Sequence, residues 1–163
     1  MDNHFELTDK FIINAFGAKL FQIKCTRKIK YADIGDLGGY IEKENNLSGD
    51  AWVSGNAQVS GNAWVSGDAR VSGYARVFGY ARVFGDARVS NDNEHCGFDC
   101  FGSANRHTHS YKTKSGKIEI TCGCFRGSIE EFEKQIKETH RGNEFERQYM
   151  AIVEVIKIKF GLK

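Results

Sequence analysis

The chain contains 163 residues, with 23 Lys and Arg residues against 21 Asp and Glu residues, and its net charge is +2. Charge alone therefore gives no evidence for a nucleic-acid partner or a membrane surface. Apolar residues make up 40% of the sequence, which is enough for a buried core and argues against wholesale disorder. No apolar run reaches the roughly 18 residues of a membrane span, and the first residues lack the features of a signal peptide. Because the five cysteines are an odd number, we expect reduced thiols and a cytoplasmic protein.

Residues 1–46 are expected to form an N-terminal β-rich cap and entry segment. Within them, residues 20–25 and 28–31 are predicted strands. The cluster Lys24, Arg27, Lys28 and Lys30 is a candidate nucleic-acid contact, since cations in a group attract phosphate. The alternative is a solvated strand face, because acidic residues follow closely in the sequence.

Residues 47–90 consist of a six-residue repeat. An aliphatic residue, a glycine and an alanine each recur every six positions from Leu47 to Val89. Fixed-period repetition is typical of a solenoid. Alanine and the next aliphatic residue are two positions apart, so on a strand both point to one face, which we expect to be inside. Glycine marks the corners, and three hexads predict a three-sided coil of 18 residues.

This pattern resembles the hexapeptide-repeat, left-handed parallel β-helix family, and the resemblance implies the handedness. The run Asp-Leu-Gly-Gly-Tyr-Ile-Glu-Lys-Glu from Asp36, followed by Asn-Leu-Ser, resembles the entry segment of small hexapeptide-repeat proteins of bacteriophages and prophages. Such proteins are often labelled after polymer-forming cytoskeletal proteins, and the resemblance covers residues 20–90. It implies a phage-type origin and a bacterial host cytoplasm, but it supplies no catalytic residue. The expected fold is mainly β, with a short left-handed β-helix, an N-terminal β cap and a C-terminal ββαα module.

Two sets of outward residues follow from the 18-residue period. Asp50, Asp68 and Asp86 should stack in one column, where Arg70 and Arg88 would separate their charges. Aromatic residues also replace polar ones at several repeat positions, which points to contact with another protein, and the alternative is a merely solvated ladder. The candidate partner-binding residues are Trp64, Tyr74, Phe78, Tyr80, Arg82 and Phe84.

Residues 91–163 are predicted to form the ββαα module. Residues 107–112 and 117–122 read as a hairpin. Ser128 with Glu131 is a capping box for a first helix that ends at Gly142, and Asn143 with Glu146 begins a second that ends at Gly161. Apolar residues at helical spacing predict that both helices pack on the hairpin.

Cysteine and histidine residues cluster within this last segment. Cys96, Cys100, Cys122 and Cys124, with His95, His107 and His109 nearby, are weak candidates for a structural zinc site. No Cys-x2-Cys pair is present, so the prediction is no metal and no cofactor, with zinc as the alternative. A catalytic pair of Cys96 or Cys124 with His107 or His109 is a further alternative.

The function expected from the sequence is a non-enzymatic, phage-type protein-binding module. An inhibitor of a bacterial defence factor, such as an RNA-guided nuclease, is the specific form of this hypothesis. A self-associating structural β-helix and a hexapeptide-repeat acyltransferase are the alternatives. The acyltransferase is disfavoured because no histidine lies between His4 and His95 to act as the base.

Overall fold

The computed structural model describes residues 3–163, and its contacts divide the chain into two compact units, Met1–Asp92 and Asn93–Lys163. Most of the regular structure in the described part is β. The first unit begins with three longer strands, β1 (Phe5–Ile13), β2 (Lys19–Cys25) and β3 (Leu37–Ile41). Seven two-residue strands follow, namely β4 (Trp52–Val53), β5 (Gln58–Val59), β6 (Trp64–Val65), β7 (Arg70–Val71), β8 (Arg76–Val77), β9 (Arg82–Val83) and β10 (Arg88–Val89).

Consecutive hexads enter three different parallel sheets in rotation, as the repeat predicts. The first sheet contains β3, β5 and β8, the second contains β4, β7 and β10, and the third contains β6 and β9. Residues 18 positions apart are therefore neighbours: Val59 pairs with Val77, and Val65 pairs with Val83. The backbone N–H groups point along the stack, and Trp52 N donates to Ala69 O at 3.0 Å. The chain thus winds as a β-solenoid.

The interior of the solenoid is a set of three aliphatic columns. Ile41 and Leu47 complete the first coil, so the stack contains three coils rather than the two and a third that the seven hexads alone supply. Each column member is at most 2% exposed. The members are Ile41, Leu47, Val53, Val59, Val65, Val71, Val77, Val83 and Val89. Alanines from the same face fill the remaining space, as expected from the repeat.

Glycine is required at the corners for two separate reasons. Gly67 has φ +72°, in the left-handed region where a Cβ atom is unfavourable. A Cβ atom placed there would also lie 3.0 Å from the backbone nitrogen of Gly85 in the next coil. Positive φ and close stacking together explain why the corner position keeps glycine through the repeat.

The strands before the repeat extend the first sheet. β1 and β2 form an antiparallel hairpin, and β2 pairs antiparallel with β3. The sequence predicted β2 at residues 20–25 but not β1. The prediction of a strand at 28–31 was wrong, because this stretch turns back on itself through the isolated bridge between Ile29 and Ala32.

A buried histidine forms a hydrogen bond with one backbone carbonyl group of the first coil. The Nε2 atom of His4 donates to Ala51 O at 2.8 Å, and the ring is only 2% exposed. Burial lowers the pKa of His4 below its usual 6.5. The His4 ring is therefore protonated more readily in the unfolded chain than in the folded chain.

We expect the free energy of unfolding of the first unit to fall as the pH drops below 6.5. In that range the unfolded chain binds a proton at His4 that the folded chain binds less readily, so acid favours the unfolded state. Denaturant midpoints of the wild type and of His4→Gln, measured at pH 7.5 and 5.5, test this. The glutamine amide can still donate but does not titrate, so the variant should lose less stability on acidification. An equal loss in both proteins would contradict the role of His4.

The second unit has a four-stranded antiparallel sheet, where the sequence predicted two strands. The order is β11 (His95–Phe101), β12 (Arg106–Lys112), β13 (Ile118–Cys122) and β14 (Phe125–Ser128). The predicted hairpin corresponds to β12 and β13. The outer strands escaped prediction because β11 contains a glycine and mixed polarity, and β14 has only four residues.

Two helices cover one side of this sheet, α1 (Ile129–His140) and α2 (Glu144–Phe160). The predicted capping box is confirmed: Glu131 N donates to Ser128 Oγ at 3.2 Å, and Ser128 N donates to Glu131 Oε2 at 2.7 Å. Asn143 caps α2 as predicted, with its Oδ1 accepting from Phe145 N at 2.9 Å. Neither α1 nor α2, nor any other helix in residues 3–163, is long and apolar enough to cross a membrane.

Candidate partner-binding surface

Most of the predicted partner-binding aromatics surround the third sheet of the solenoid. Trp64 and Arg82 are register partners on β6 and β9. Phe84 follows β9 at one corner, while Phe78 and Tyr80 lie in the turn that precedes β9 at the other. Trp64, Phe78 and Tyr80 are 41%, 49% and 61% exposed. The solenoid therefore collects five of the six predicted residues on one sheet and its two flanking corners, which we call the aromatic face: Trp64, Phe78, Tyr80, Arg82 and Phe84.

Ring contacts hold part of the aromatic face in place. The rings of Trp64 and Phe84 meet edge to face with centroids 5.1 Å apart. The indole Nε1 of Trp64 donates to Ser48 Oγ at 2.7 Å, so the polar edge of the ring is satisfied while its face stays open. Two contacts on different coils thus restrict the orientation of Trp64, which reduces the entropy lost when a partner binds.

The β1–β2 hairpin contributes a residue that no pattern in the repeat marks. Phe16, at the tip of the hairpin, packs against Phe78 with ring centroids 5.5 Å apart and remains 75% exposed. A shallow cavity of about 210 Å³ lies beside this contact and includes Ile13 and Val77 in its wall. The only sequence signal was an apolar residue next to Gly17, which is also common in ordinary turns.

Tyr74 lies apart from the aromatic face. It occupies the corner between β7 and β8, and it is 75% exposed. It lines a cavity of about 510 Å³ whose wall also includes Ile12, Gln58 and Arg76. Arg76 pairs there with Asp92, through both its backbone nitrogen and its guanidinium. The sequence grouped Tyr74 with the other aromatics by exposure alone, whereas the fold places it on a different corner.

The basic cluster of the entry segment is neutralised within the chain. Each of its four cations lies within 4.0 Å of a carboxylate. The pairs are Lys24 with Glu6 at 3.3 Å, Arg27 with Asp50 at 3.0 Å, Lys28 with Asp33 at 2.7 Å and Lys30 with Asp68 at 3.5 Å. Hydrogen bonding to Asp33 raises the pKa of Lys28. A nucleic-acid contact by these residues stays a prediction, and it would have to compete with these partners.

The entry segment contacts the second sheet in a way that the sequence did not predict. Arg88 donates to the hydroxyl of Tyr31 and lies over its ring, 4.8 Å from the centroid. It also donates to the backbone oxygen of Asp68 at 2.9 Å. The expected neutralisation of the aspartate column by arginines is therefore replaced in part by the entry segment, because Lys30 takes the Asp68 carboxylate.

The four candidate cysteines of the second unit do not lie together. Cys96 and Cys122 face the helices, where the thiol of Cys96 lies 3.0 Å from Ser110 Oγ and burial raises its pKa. Cys100 and Cys124 are exposed. Nowhere in residues 3–163 do three Cys, His, Asp or Glu side chains form a group that could hold a metal ion. A zinc site therefore remains only an expectation from the sequence.

The histidines of β11 and β12 meet each other. The Nδ1 atom of His95 lies 3.0 Å from Nε2 of His109, and Nδ1 of His107 lies 2.5 Å from Asp99 Oδ1. The thiol of Cys96 is instead next to the Ser110 hydroxyl. These contacts give the alternative of a catalytic Cys–His pair no support.

Comparison with known proteins gives a family match within the repeat. A family model described as the YdcK beta solenoid repeat matches residues 57–73, which span β5, β6 and β7. No curated protein matches the chain. The middle of the chain is accordingly similar to a beta-solenoid repeat, in agreement with the sheets described above.

Proposed function

We propose that this chain is a non-enzymatic protein-binding module and that the aromatic face is its binding surface. The observation that carries the proposal is the exposure of large aromatic side chains where the neighbouring coil has small polar ones. Phe78 stands where the previous coil has Ser60, and Tyr80 stands where it has Asn62. Exposed aromatic rings are only weakly hydrated, so their burial by a partner is favourable. Aromatic residues and arginine are both enriched in the cores of protein interfaces.

A protein partner accounts for the composition of the aromatic face better than a small molecule does. Trp64 and Phe84 present ring edges and faces over a flat sheet, and Arg82 lies beside Trp64 on the adjacent strand. Small-molecule sites are usually concave, whereas flat surfaces with a few aromatic and arginine anchors are typical of protein interfaces. The absence of histidine from residues 5–94 supports a role without acyl transfer.

The handedness of the solenoid and its N-terminal cap are also part of this proposal. We infer that the solenoid is left-handed, following its resemblance to the hexapeptide-repeat family, and that β1 and β2 cap its first coil. The hydrogen bonds from His4 to Ala51 O, and from Gln22 Nε2 to Gly38 O at 3.0 Å, support the cap, since both satisfy carbonyl groups of that coil. A phage-type origin, inferred from the entry segment, would make a bacterial defence complex the first partner to test.

The repeat itself supplies the variants that test the aromatic face. Four aromatic residues can be replaced by the residue that another coil carries in the same column, so the fold should be retained. The substitutions are Trp64→Arg, Phe78→Ser, Tyr80→Asn and Phe84→Ser. Interface anchors of this kind contribute about 2 kcal/mol or more, so binding should weaken by at least roughly thirtyfold. Affinity capture from bacterial lysate with quantitative mass spectrometry, followed by titration of the captured protein, measures the loss.

Tyr74→Asn is the matched control for this experiment. This variant also replaces an aromatic residue by the residue found 18 positions earlier, here Asn56, but at a corner outside the aromatic face. The wild type and this control should retain a partner that the fourfold variant loses. Equal recovery of every captured protein by all three would contradict the proposal.

Self-association is a second candidate function, favoured by the exposed strand at the edge of the first sheet. β1 is the outermost strand, and its side chains Phe11 and Ile13 are 47% and 59% exposed. Edge strands with apolar side chains can pair with another chain. Sedimentation velocity should then show a dimer that grows with concentration in the wild type and disappears in Phe11→Lys/Ile13→Lys. A monomer at every concentration would exclude this function.

A further inference from the structure

The second unit contains a half-open cleft that the proposed binding surface does not use. The cleft has a volume of about 480 Å³, which lies within the range of roughly 300–1,000 Å³ that small-molecule sites occupy. It opens beside the turn between β13 and β14 and extends towards the C-terminal half of α1. Its wall includes Arg106, Cys124, Phe125, Phe132, His140 and Tyr149.

The floor of the cleft is aromatic. The rings of Phe125 and Phe132 have centroids 5.0 Å apart, and Phe132 meets Tyr149 edge to face at 5.9 Å. His140 stacks on Tyr149 with an interplanar angle of 26°. Burial, with the neighbouring Cys122, raises the pKa of Tyr149 to about 12, so the phenol stays neutral at physiological pH. A flat apolar group would find aromatic rings beneath it.

The two arginines of the cleft differ in their charge balance. Arg126 is held by Glu119 through two hydrogen bonds, at 2.6 and 3.2 Å, and its charge is matched. Arg106 has no carboxylate within 4.0 Å in the part of the chain that the structure describes. Its guanidinium lies across Gly123, where a Cβ atom would come within 2.9 Å of Nη1. The cleft therefore holds one uncompensated cation beside an aromatic floor.

We propose that this cleft binds a small organic anion with a flat aromatic body, whose carboxylate or phosphate group pairs with Arg106. Arginine donates two parallel hydrogen bonds to either group, and the aromatic floor accepts the ring. This site is separate from the aromatic face, so its failure would leave the proposed protein-binding function intact.

Alkylation of the two exposed cysteines gives a direct test in the full chain. Cys124 lines the cleft, whereas Cys100 is exposed outside it and serves as an internal control. The probes are benzoate and phenyl phosphate, with inorganic phosphate and benzyl alcohol supplying the anion or the ring alone. Both aromatic anions should slow the reaction of Cys124 with iodoacetamide and leave Cys100 unchanged, and the stronger of the two identifies the preferred anionic group. Equal rates at Cys124 with and without the aromatic anions, or equal protection by benzyl alcohol, would overturn the proposal.

Substitution of the cation separates its charge from the shape of the cleft. Arg106→Gln should weaken protection by about tenfold, because a charge-assisted pair is lost while the floor remains. Arg147→Gln, at an exposed arginine outside the cleft, should behave as the wild type. Circular dichroism and melting temperatures confirm that both variants fold. Unchanged protection in a folded Arg106→Gln protein would also overturn the proposal.

Discussion

Val65→Asp is expected to unfold the solenoid at neutral pH. Val65 is fully buried between Leu47 and Val83 in the third sheet, and its neighbours in the column are aliphatic. An unpaired carboxylate there should lower the free energy of unfolding by about 3–5 kcal/mol. A loss of this size is comparable to the whole stability of many domains, which is about 5–15 kcal/mol. Circular dichroism and urea denaturation measure it.

Asn62→Asp is the matched control, since it introduces the same charge in the same coil at an exposed corner. Lys43 Nζ already lies 3.2 Å from Asn62 Oδ1, so the new carboxylate has a cation beside it. Its effect should stay within about 0.5 kcal/mol. Burial raises the pKa of a carboxyl group, so Val65→Asp should recover part of its stability as the pH falls and the group protonates. If Val65→Asp were as stable as the control, the interior position of the valine column would be refuted.

Phe132→Ala is expected to have the second large effect, on the second unit. Phe132 is 3% exposed and packs its ring between Phe125 and Tyr149. Removal of a buried phenylalanine ring costs about 3–5 kcal/mol, from lost burial and the cavity that remains. Thermal melting followed at helix wavelengths measures this cost.

Lys134→Ala provides the comparison on the same helix. The Lys134 side chain is 77% exposed and has a weak ion pair with Glu138 at 3.9 Å, so its removal should change stability by less than about 0.5 kcal/mol. Similar melting temperatures for the two variants would show that the apolar stripe of α1 does not form the core of this unit.

The repeat could be predicted well because each of its positions has a separate physical requirement. Valine and alanine two positions apart must share a face, and glycine must take positive φ at the corner, so the pattern alone indicates which residues are inside. The partnership of Val59 with Val77 follows directly from the period. The capping box of α1 was predictable for a similar reason, since Ser128 and Glu131 act within four residues of sequence.

Features that depend on distant contacts were not predictable from the sequence. Lys28–Tyr31 has alternating polarity like a strand, but the segment turns and places Tyr31 against Arg88, 57 residues later. The aromatic face illustrates the same limit. Exposure of Trp64 and Tyr80 followed from the repeat, whereas the contact of Phe16 with Phe78 depends on how the hairpin folds back. The cleft beside Arg106 is lined by five elements of the second unit, and no local pattern marks it.

Nuclear Overhauser effects between valine methyl groups would test the central claim most directly, which is that the repeat winds as coils of 18 residues with the valines inside. Neighbouring strands in a sheet lie about 4.8 Å apart, so methyl groups of residues in one column should be in contact. We predict cross-peaks between Val59 and Val77, between Val65 and Val83, and from Val71 to both Val53 and Val89. Cross-peaks confined to residues close in sequence, with no contacts at a separation of 18, would contradict the account.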